Sequence, residues 1–485
     1  MMSKVLIVCF DGLQPTQVTP ELMPNLAALA AEGVTFQNHH PVFPTVTRIN
    51  AASMVTGRYP GGHGLAGNTV VMREFDPYRS FSALEPVLAE VAQKLGHTLL
   101  APTLADILQQ HGQEYIAVGI GTTGNAYVHN PNAERSGGAT IHPEFCLPYS
   151  LHSDIIGQFG PWPEDSMPAT GRLSHAVKIM TEYVLPERDP AVALFWSCEP
   201  DHAQHAAGVG ADISNAAIQA ADEQFGRLLG WLDENGRSAE TDVIVISDHG
   251  YTTVTETVDV ESLVREAGFP QGTDAGGVVV AHNGGSVLFY IHEKDRATTD
   301  RLAEWLMTQP WCGSMLASEA VEGIAGTLPL RLAQGDGSRS PELAISLAWD
   351  STPNQAGYPG HAYCTGLAPG LGLHGSMSRH EMRNTLVARG PSFKRGVAVS
   401  TPTGNVDLTP TILHILGISP AVPMDGRPLL EALEGGPDPA SVQWATEVHR
   451  AERPVGGGVY RQEVTVSEVD ATTYIDQGTA RLDIT

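Results

Sequence analysis

Three apolar runs in this sequence have the same ending, and they constrain the fold more than any other feature. The runs VLIVCF, AVALFWSCEP and DVIVIS are each followed directly by an aspartate, namely Asp11, Asp201 and Asp248. Continuous apolar runs of this length are typical of strands buried on both faces, as in a parallel sheet that helices cover. Because the carboxyl ends of parallel strands lie at one edge of a sheet, we expect the three carboxylates to share that edge.

Helical patterns separate these strands. The segments MPNLAALAAEG, PTLADILQQHG and SNAAIQAADEQFGRLLGWLDENG carry apolar residues at helical spacing, and the last ends at Gly236, a plausible C-cap. A later segment, NVDLTPTILHILGI, predicts a final capped helix with Asp407 near its start. Strands alternating with helices predict an α/β fold with a mostly parallel central sheet and helices on both faces.

The chain of 485 residues exceeds the size of a single compact core, so insertions or a second domain are expected. Residues 1–268 and 371–435 carry the strand and helix pattern and form the predicted catalytic core. Residues 269–370 mix Gly-rich turns with short strands such as GGSVLFYIHE, which predicts an inserted cap on the substrate side. Residues 436–485 alternate weakly and predict a C-terminal extension that adds edge strands.

Charge restricts the partners of this chain. Its 28 Lys and Arg face 54 Asp and Glu, which gives a formal net charge of -26. Such a surface repels polynucleotides and anionic membranes, so we expect neither as a partner. An anionic substrate then requires local positive charge, which a bound metal would supply. The sequence gives no indication of the oligomeric state.

The cysteines and the first residues bear on location. The five cysteines are scattered without a CxxC pair, so neither a disulfide framework nor a thiolate zinc site is indicated. The opening apolar run is too short for a signal peptide, and no run approaches the roughly 18 apolar residues of a membrane span. We therefore expect a cytoplasmic protein, unless a leader precedes this sequence.

Metal-ligand residue types gather at the predicted strand ends. In EPDHAQHAAG, Asp201 and His205 are four apart and share one face of a helical turn. In SDHG, Asp248 and His249 directly follow a buried strand, and GLHGS places a further histidine beside a small residue. The six candidate ligands are Asp11, Asp201, His205, Asp248, His249 and His374.

Each of these features alone has an ordinary structural explanation. An aspartate after a strand is commonly a turn former, and a DxxxH pair arises by chance in a chain with 19 histidines. The joint arrangement is what predicts metal binding. Aspartate and histidine without cysteine select a borderline-hard divalent ion such as zinc or manganese, or another divalent ion. Six ligands exceed one tetrahedral ion, so we predict two ions about 4 Å apart, a known clamp for phosphoryl transfer.

The stretch FPTVTRINAASMVTG places Thr47 and Arg48 at the start of a small-residue helix. A threonine there is commonly an N-cap. Beside a metal, its hydroxyl becomes a nucleophile, and the N–H groups of the helix N-terminus hold anionic oxygens. The predicted metal centre favours the nucleophile.

The motifs FDG, PTVT, HGLAGN, EPDHAQH, SDHG and HGS, in this order, resemble the nucleotide pyrophosphatase/phosphodiesterase branch of the alkaline phosphatase superfamily. The resemblance covers the chain from Asp11 to about Ile418 and implies an alkaline-phosphatase-like fold. It also implies hydrolysis of phosphate esters through a covalent phospho-threonine that water then cleaves.

The resemblance further implies a role for each matching residue. Asn68, which ends HGLAGN, would hydrogen-bond a phosphate oxygen, whereas without the resemblance it is an ordinary turn residue. One zinc would be held by Asp201, His205 and His374, and the other by Asp11, Asp248, His249 and the nucleophile Thr47.

The sequence departs from the family after the nucleophile, where the nucleotide hydrolases usually carry an aromatic residue. Arg48 stands there instead, followed by Ile49. An arginine would bind a second anionic oxygen and favour a phosphomonoester, a phosphonate or a diester with an acidic leaving portion. The alternative is that Arg48 pairs with a surface carboxylate. The motif HGSMS also differs from the family's HGYDN, which leaves nucleotide recognition open.

The leading hypothesis is therefore a two-zinc phosphodiesterase acting on a small anionic ester. The alternatives are a phosphonate hydrolase of the phosphonoacetate-cleaving type, a phosphomonoester hydrolase, a metal-dependent mutase and a metal-stabilised binding protein without turnover. An arylsulfatase is disfavoured, because Thr47 does not supply the C/S-x-P-x-R motif of those enzymes. Tyr127, Phe145 and Trp162 are candidates for pocket walls, with ordinary packing as the alternative.

Overall fold

The computed structural model describes residues 3–321 and 323–484. Its helices are α1 (Pro24–Glu32), α2 (Thr47–Thr56), α3 (Pro60–His63), α4 (Glu85–Leu95), α5 (Leu104–Gln110), α6 (Thr123–His129), α7 (Ala133–Ser136), α8 (Leu151–Phe159), α9 (Thr170–Ile179), α10 (Asp201–Ala207), α11 (Asp212–Glu234), α12 (Val260–Glu266), α13 (Arg296–Leu306) and α14 (Leu408–Ile415).

Its strands belong to six sheets. They are β1 (Lys4–Phe10), β2 (Val34–Phe36), β3 (His39–His40), β4 (Thr69–Val70), β5 (Phe81–Ser82), β6 (Tyr115–Gly119), β7 (Ala139–Ile141), β8 (Cys146–Leu147), β9 (Val192–Ser197), β10 (Thr241–Ile246), β11 (Thr252–Thr257), β12 (Val278–Asn283), β13 (Ser286–Ile291), β14 (Cys312–Ala317), β15 (Leu328–Pro329), β16 (Leu343–Leu347), β17 (Trp349–Pro353), β18 (Pro359–Cys364), β19 (Gly372–Leu373), β20 (Leu386–Arg389), β21 (Val397–Val399), β22 (Thr403–Gly404), β23 (Ala445–Val455), β24 (Gly458–Val469) and β25 (Thr472–Ile484).

The central sheet has nine strands in the order β21-β2-β20-β10-β1-β9-β6-β7-β8. Strands β10, β1, β9, β6 and β7 run parallel, whereas β20 and β8 pair antiparallel with their neighbours. The three apolar runs are β1, β9 and β10, and they lie side by side at the middle of the sheet. The predicted α/β fold with a mostly parallel sheet is confirmed.

Helices cover both faces of this sheet, as predicted. Alternate residues of β1 point to opposite faces, because side chains alternate along a strand. One set packs into a cluster with residues of α2, α4, α5 and α14. The other set packs with residues of α1, α9 and α11. This burial on both faces explains why the strands read as continuous apolar runs rather than alternating ones.

Residues 269–370 contain a separate antiparallel-rich sheet in the order β12-β13-β16-β14-β15, which packs with α12 and α13 around its own apolar cluster. A four-stranded sheet, β17-β18-β11-β19, combines strands from inside and outside this range. The two ranges are therefore joined by strand pairing as well as by the chain.

The last three strands pair with one another in the order β23-β24-β25 and form a sheet of their own. They do not extend the central sheet as edge strands, which differs from the expectation. Side chains that anchor this sheet include two tyrosines: the Tyr460 hydroxyl donates to the Gly313 carbonyl, and the Tyr474 hydroxyl donates to Asp407. In the part of the chain that the structure describes, we find no helix with the length and apolar character needed to cross a membrane.

Candidate active site

The register of the central strands brings the candidate ligands together. Cys9 of β1 is paired with Ile246 of β10 and with Trp196 of β9, so the three strands end at nearly the same level. The Asp201 N–H donates to the Asp11 carbonyl at 3.0 Å, which joins the ends of two strands directly. The shared edge predicted for the aspartates is present.

The first group of ligands consists of Asp201, His205 and His374. Asp201 begins α10 and His205 lies one turn later, as the DxxxH spacing predicts. The Nε2 atoms of the two histidines are 3.0 Å apart, and Asp201 Oδ1 lies 3.3 Å from one and 3.4 Å from the other. Three ligand atoms thus converge on one point.

The hydrogen bonds of the two imidazoles determine which nitrogen faces that point. His205 Nδ1 is 3.0 Å from the Gly372 carbonyl, and His374 Nδ1 is 2.7 Å from the Thr45 carbonyl. A carbonyl only accepts, so Nδ1 carries the proton in each ring and Nε2 presents a lone pair. Two nitrogen lone pairs and a carboxylate oxygen facing one another fit a cation, in the way that metal-binding histidines are usually oriented.

Burial and neighbouring charges together set the protonation states of this group. Burial lowers the pKa of His374 to about 4, helped by the nearby His249. Burial by itself would raise the pKa of Asp201, but His205 and His374 outweigh it and hold that pKa well below its usual value. At neutral pH this group offers a neutral imidazole and an ionised carboxylate, which are ligand forms.

The second group consists of Asp11, Asp248 and His249, all buried. His249 Nδ1 donates to the Gly250 carbonyl at 3.1 Å, so Nε2 again presents a lone pair. That Nε2 lies 3.1 Å from Asp248 Oδ2 and 3.5 Å from Asp11 Oδ1. Among residues 3–321 and 323–484, neither of these two carboxylate oxygens accepts a hydrogen bond.

The other oxygen of each carboxylate is held by the protein. Trp196 Nε1 donates to Asp11 Oδ2 at 3.1 Å, and the Gly12 N–H donates to Asp248 Oδ1 at 2.9 Å. Burial, together with Asp248, raises the pKa of Asp11 well above its usual value. Two buried carboxylates with donor-free oxygens side by side are costly unless a cation lies between them.

The two groups are neighbours. The His249 ring stacks on the His374 ring, with centroids 3.7 Å apart and planes 16° apart. The structure therefore brings all six predicted ligands into one continuous cluster.

Thr47 lies at the second group. It is the first residue of α2, and the N-cap position belongs to Val46, whose side chain cannot cap. The Thr47 hydroxyl lies 3.4 Å from His249 Nε2. The hydroxyl that could have been a cap is thus directed to the candidate metal ligands, at the N-terminal end of a ten-residue helix.

Asn68 and Arg48 are joined to each other. The Arg48 N–H donates to Asn68 Oδ1 at 2.9 Å, which leaves the amide NH2 of Asn68 on the opposite side. The Arg48 guanidinium donates to the Asn68 carbonyl and the Ser82 hydroxyl, each at 2.9 Å, and approaches the Thr122 hydroxyl at 3.4 Å. Arg48 therefore holds the Asn68 segment from two sides.

Arg48 is only 7% exposed, and burial lowers its pKa to about 10. Within the described part of the chain, no carboxylate forms an ion pair with it, so the surface pairing considered from sequence is not what the structure has. A buried cation held by neutral oxygens keeps its capacity to attract an anion.

The three candidates for pocket walls pack into apolar clusters. Tyr127 and Phe145 are buried in the cluster that includes α2 and α4. Trp162 packs against the cluster on the other face, with its ring 4.6 Å from that of His175. Ordinary packing accounts for all three.

Two further site residues were missed from the sequence. Tyr251 donates its hydroxyl to Asp201 Oδ1 at 2.6 Å, and Trp196 donates to Asp11. Tyr251 directly follows a histidine-glycine pair in SDHGY, a position close enough to the motif to have been considered. Trp196 lies inside an apolar run and carries no such signal.

Comparisons with known proteins show the family of this chain. The family model described as "Type I phosphodiesterase / nucleotide pyrophosphatase" matches residues 5–370. An ectonucleotide pyrophosphatase/phosphodiesterase of Caenorhabditis elegans is 23% identical over 431 residues, which are 87% of this chain and 48% of that protein. A bis(5'-adenosyl)-triphosphatase of Mus musculus is 24% identical over 425 residues, 86% of this chain and 78% of that protein. The chain thus spans about half the length of the first relative.

Solved structures share the fold. Murine ectonucleotide pyrophosphatase/phosphodiesterase 5, in an inactive threonine-to-alanine form in complex with AMP, has a TM-score of 0.63 and 18% identity, covering 89% of this chain and 100% of that one. The human counterpart has a TM-score of 0.60 and 18% identity, covering 89% of this chain and 99% of that one. The alkaline-phosphatase-like fold implied by the motifs is confirmed.

Proposed function

Because the chain belongs to the type I phosphodiesterase / nucleotide pyrophosphatase family, we propose that it hydrolyses small phosphate esters, phosphodiesters above all, with two zinc ions and a phospho-threonine at Thr47. One observation carries this proposal: the Thr47 hydroxyl lies 3.4 Å from His249 Nε2, beside the donor-free oxygens of Asp11 and Asp248. A hydroxyl placed among metal ligands is an activated nucleophile.

The residues fit two zinc ions. His205 and His374 turn lone pairs toward Asp201, and His249 turns its own toward Asp11 and Asp248. Nitrogen and oxygen ligands without sulfur suit zinc or manganese. One ion would be held by Asp201, His205 and His374, and the other by Asp11, Asp248, His249 and Thr47. When bound, the ions would supply Lewis-acid stabilisation of the attacking and leaving oxygens.

The chain's own groups perform two displacements. The Thr47 hydroxyl gives its proton to solvent as Oγ1 forms a bond to phosphorus, and the ester oxygen leaves with the electron pair of its bond and is protonated by solvent. The Asn68 NH2 and the N–H groups at the start of α2 hold the phosphoryl oxygens. Water then loses a proton to solvent as it forms a bond to phosphorus on the opposite side, and the P–Oγ1 bond breaks, with its electron pair staying on Oγ1, which solvent protonates. Two inversions give retention.

The relatives support a small ester as substrate. The murine relative is named as a bis(5'-adenosyl)-triphosphatase, and the murine solved structure holds AMP. That structure is also an inactive threonine-to-alanine form, which is consistent with a threonine nucleophile.

A second candidate function is hydrolysis of a phosphomonoester or phosphonate. Arg48 favours it, because this buried guanidinium follows the nucleophile and has no carboxylate partner among the described residues. A dianionic phosphoryl group or an anionic leaving portion would supply the missing charge.

The test is a panel of aryl substrates with zinc-reconstituted protein: a phosphodiester, a phosphomonoester, a phosphonate and a sulfate. Thr47→Ala is expected to lower diester turnover by about 10³-fold or more. Thr56→Ala, at the other end of α2, is the matched control and is expected to keep near-wild-type turnover. Mass spectrometry of quenched wild type is expected to find a phosphoryl group on Thr47. Undiminished diester turnover in Thr47→Ala, or sulfate as the best substrate, would contradict the proposal.

A further inference from the structure

A buried carboxylate outside the ligand groups connects the segments that carry them. Glu381 is fully buried and accepts four hydrogen bonds. Its Oε2 accepts from the Thr45 hydroxyl at 3.0 Å and from the Ser376 N–H at 2.6 Å. Its Oε1 accepts from the Thr252 hydroxyl at 2.6 Å and from the Ser376 hydroxyl at 2.7 Å.

The three partners lie on three different segments of the candidate active site. Thr45 is two residues before the nucleophile, in the loop that leads into α2. Ser376 is two residues after His374. Thr252 begins β11, three residues after the histidine of SDHG. One carboxylate thus ties together the nucleophile loop and the segments of two histidine ligands.

The nucleophile loop and the His374 segment are also joined directly. The Gly375 N–H donates to the Thr45 hydroxyl at 2.9 Å, and His374 Nδ1 donates to the Thr45 carbonyl at 2.7 Å. The orientation of the His374 ring therefore depends on Thr45. Since the Thr45 hydroxyl is held by Glu381, a change at Glu381 reaches the imidazole through a single residue.

We propose that Glu381 is a positioning residue of the metal centre: it holds Thr45 so that His374 turns Nε2 toward the zinc site and the nucleophile loop stays beside it. This inference rests on the proposed function. Partners that orient a ligating histidine commonly change metal affinity ten- to a hundredfold when removed. Glu381 acts indirectly: it holds Thr45, whose carbonyl orients His374.

The chemistry of the site explains why a carboxylate is suitable. Four donors converge on Glu381, and an ionised carboxylate accepts at both oxygens. In Glu381→Gln the side-chain NH2 is expected at the Oε1 position, because the two hydroxyls there can rotate and accept a hydrogen bond from it. At the Oε2 position the NH2 would meet the Ser376 N–H, which is a donor and cannot accept. Glutamine is therefore a conservative variant. Alanine removes the acceptor that the four donors share, and of these the Thr45 hydroxyl still has the Ser376 carbonyl at 2.9 Å.

The experiment is a zinc titration of metal-free protein, in which binding is measured by calorimetry or by competition with a chelating dye. Wild type is expected to bind two zinc ions. Glu381→Ala is expected to weaken the zinc held by Asp201, His205 and His374 about tenfold, and Glu381→Gln is expected to restore most of that loss. Co²⁺ absorption spectra of the same variants are expected to show a changed ligand field in Glu381→Ala only.

A matched control separates positioning from general stability. Glu342 is equally buried and accepts from Arg73 and from the Ile291 N–H, away from the ligand groups. Glu342→Ala is expected to lower thermal stability and to leave both zinc affinities at the wild-type level. Should Glu381→Ala fail to fold, Thr45→Val removes the bond to Glu381 together with the bonds of that hydroxyl to Gly375 and Ser376. It is expected to weaken zinc binding in the same direction.

The outcomes are distinct. Wild-type zinc affinities in Glu381→Ala, or in Thr45→Val where that variant stands in, would overturn the role of Glu381 and leave the proposed function standing. An equal loss of affinity in Glu342→Ala would overturn it too, because the effect would then come from stability alone. Wild type that binds no zinc would overturn the proposed function itself.

Discussion

Two buried carboxylate clusters in this molecule are built in opposite ways. Asp11 and Asp248 lie side by side, and each keeps one oxygen without a hydrogen-bond donor among the described residues. Glu381 receives four donors on its two oxygens. Buried polar groups are nearly always satisfied, so a saturated cluster stabilises the fold by itself, whereas an unsatisfied one requires a ligand. The difference separates the group proposed to hold a metal from the group proposed to position its ligands.

The largest expected effect comes from removing the metal. Dialysis against a chelator is expected to lower phosphodiester turnover by about 10³-fold or more, and zinc is expected to restore it. Thermal unfolding of the metal-free protein is expected at a lower temperature than that of the zinc-loaded protein, because ligand binding to the native state stabilises it. If turnover survived complete zinc removal, verified by elemental analysis, the Asp11 and Asp248 cluster would not require a metal for activity, which would contradict the comparison.

Arg48 has the opposite charge: it is a buried cation that forms no ion pair with a carboxylate among the described residues. Arg48→Gln is expected to lower turnover of an aryl phosphomonoester or phosphonate about tenfold relative to the diester, a difference of about 1.4 kcal/mol. The control is Arg58→Gln, which breaks the partly exposed pair with Asp425 and is expected to leave that ratio unchanged. An unchanged ratio in Arg48→Gln would restrict Arg48 to holding the Asn68 segment.

Removing a carboxylate charge is expected to change the free energy of unfolding in opposite directions in the two clusters. Asp11→Asn is expected to stabilise the metal-free protein by about 1–2 kcal/mol, since it removes repulsion between buried carboxylates and adds an N–H donor. Glu381→Gln is expected to destabilise the metal-free protein. Denaturant unfolding of both variants measures this. A loss of stability in metal-free Asp11→Asn would contradict this prediction, because it would show that the ionised cluster is already stabilised without a metal.

The smallest expected effect concerns a third buried carboxylate, Asp407. It accepts from the Gly404 and Arg427 N–H groups and from the Tyr474 hydroxyl of the C-terminal sheet. Tyr474→Phe removes one of these donors and is expected to cost about 1 kcal/mol of unfolding free energy.

This cost should depend on pH. Burial raises the pKa of Asp407 to about 6, although the charge of Arg427 and the hydrogen bonds that Asp407 accepts both lower it. A raised folded-state pKa means that Asp407 contributes stability below its unfolded pKa, and that this is lost as pH rises toward 6. The Tyr474 hydroxyl binds the ionised form more strongly, so the cost of Tyr474→Phe is expected in full above pH 6 and should shrink below it. A cost that is equal at pH 4 and pH 8 would contradict this.

Much of the site could be predicted because its signals are local. The apolar runs that end in Asp11, Asp201 and Asp248 are strands buried on both faces, and parallel strands end at one edge of a sheet. The pair Asp201 and His205 shares one helical face by spacing alone. These relations depend on neighbours in sequence and on the handedness common to all α/β sheets.

Other features depend on contacts between distant segments. The sequence could not show that His374 Nδ1 donates to the Thr45 carbonyl, because 329 positions separate the two residues. Nor could it show that the Arg48 guanidinium reaches Ser82, or that Glu381 collects donors from three segments. Such contacts arise only when packing brings the segments together, since no local periodicity specifies them.

The sequence by itself thus determined the α/β fold and the sheet edge at which the six residues predicted as ligands gather. Tertiary structure alone decided the tautomer of each histidine, the direction of the Thr47 hydroxyl and which carboxylates are satisfied. The physical reason is that strand and helix patterns act over a few residues, whereas the satisfaction of a buried charge depends on every segment that packs around it.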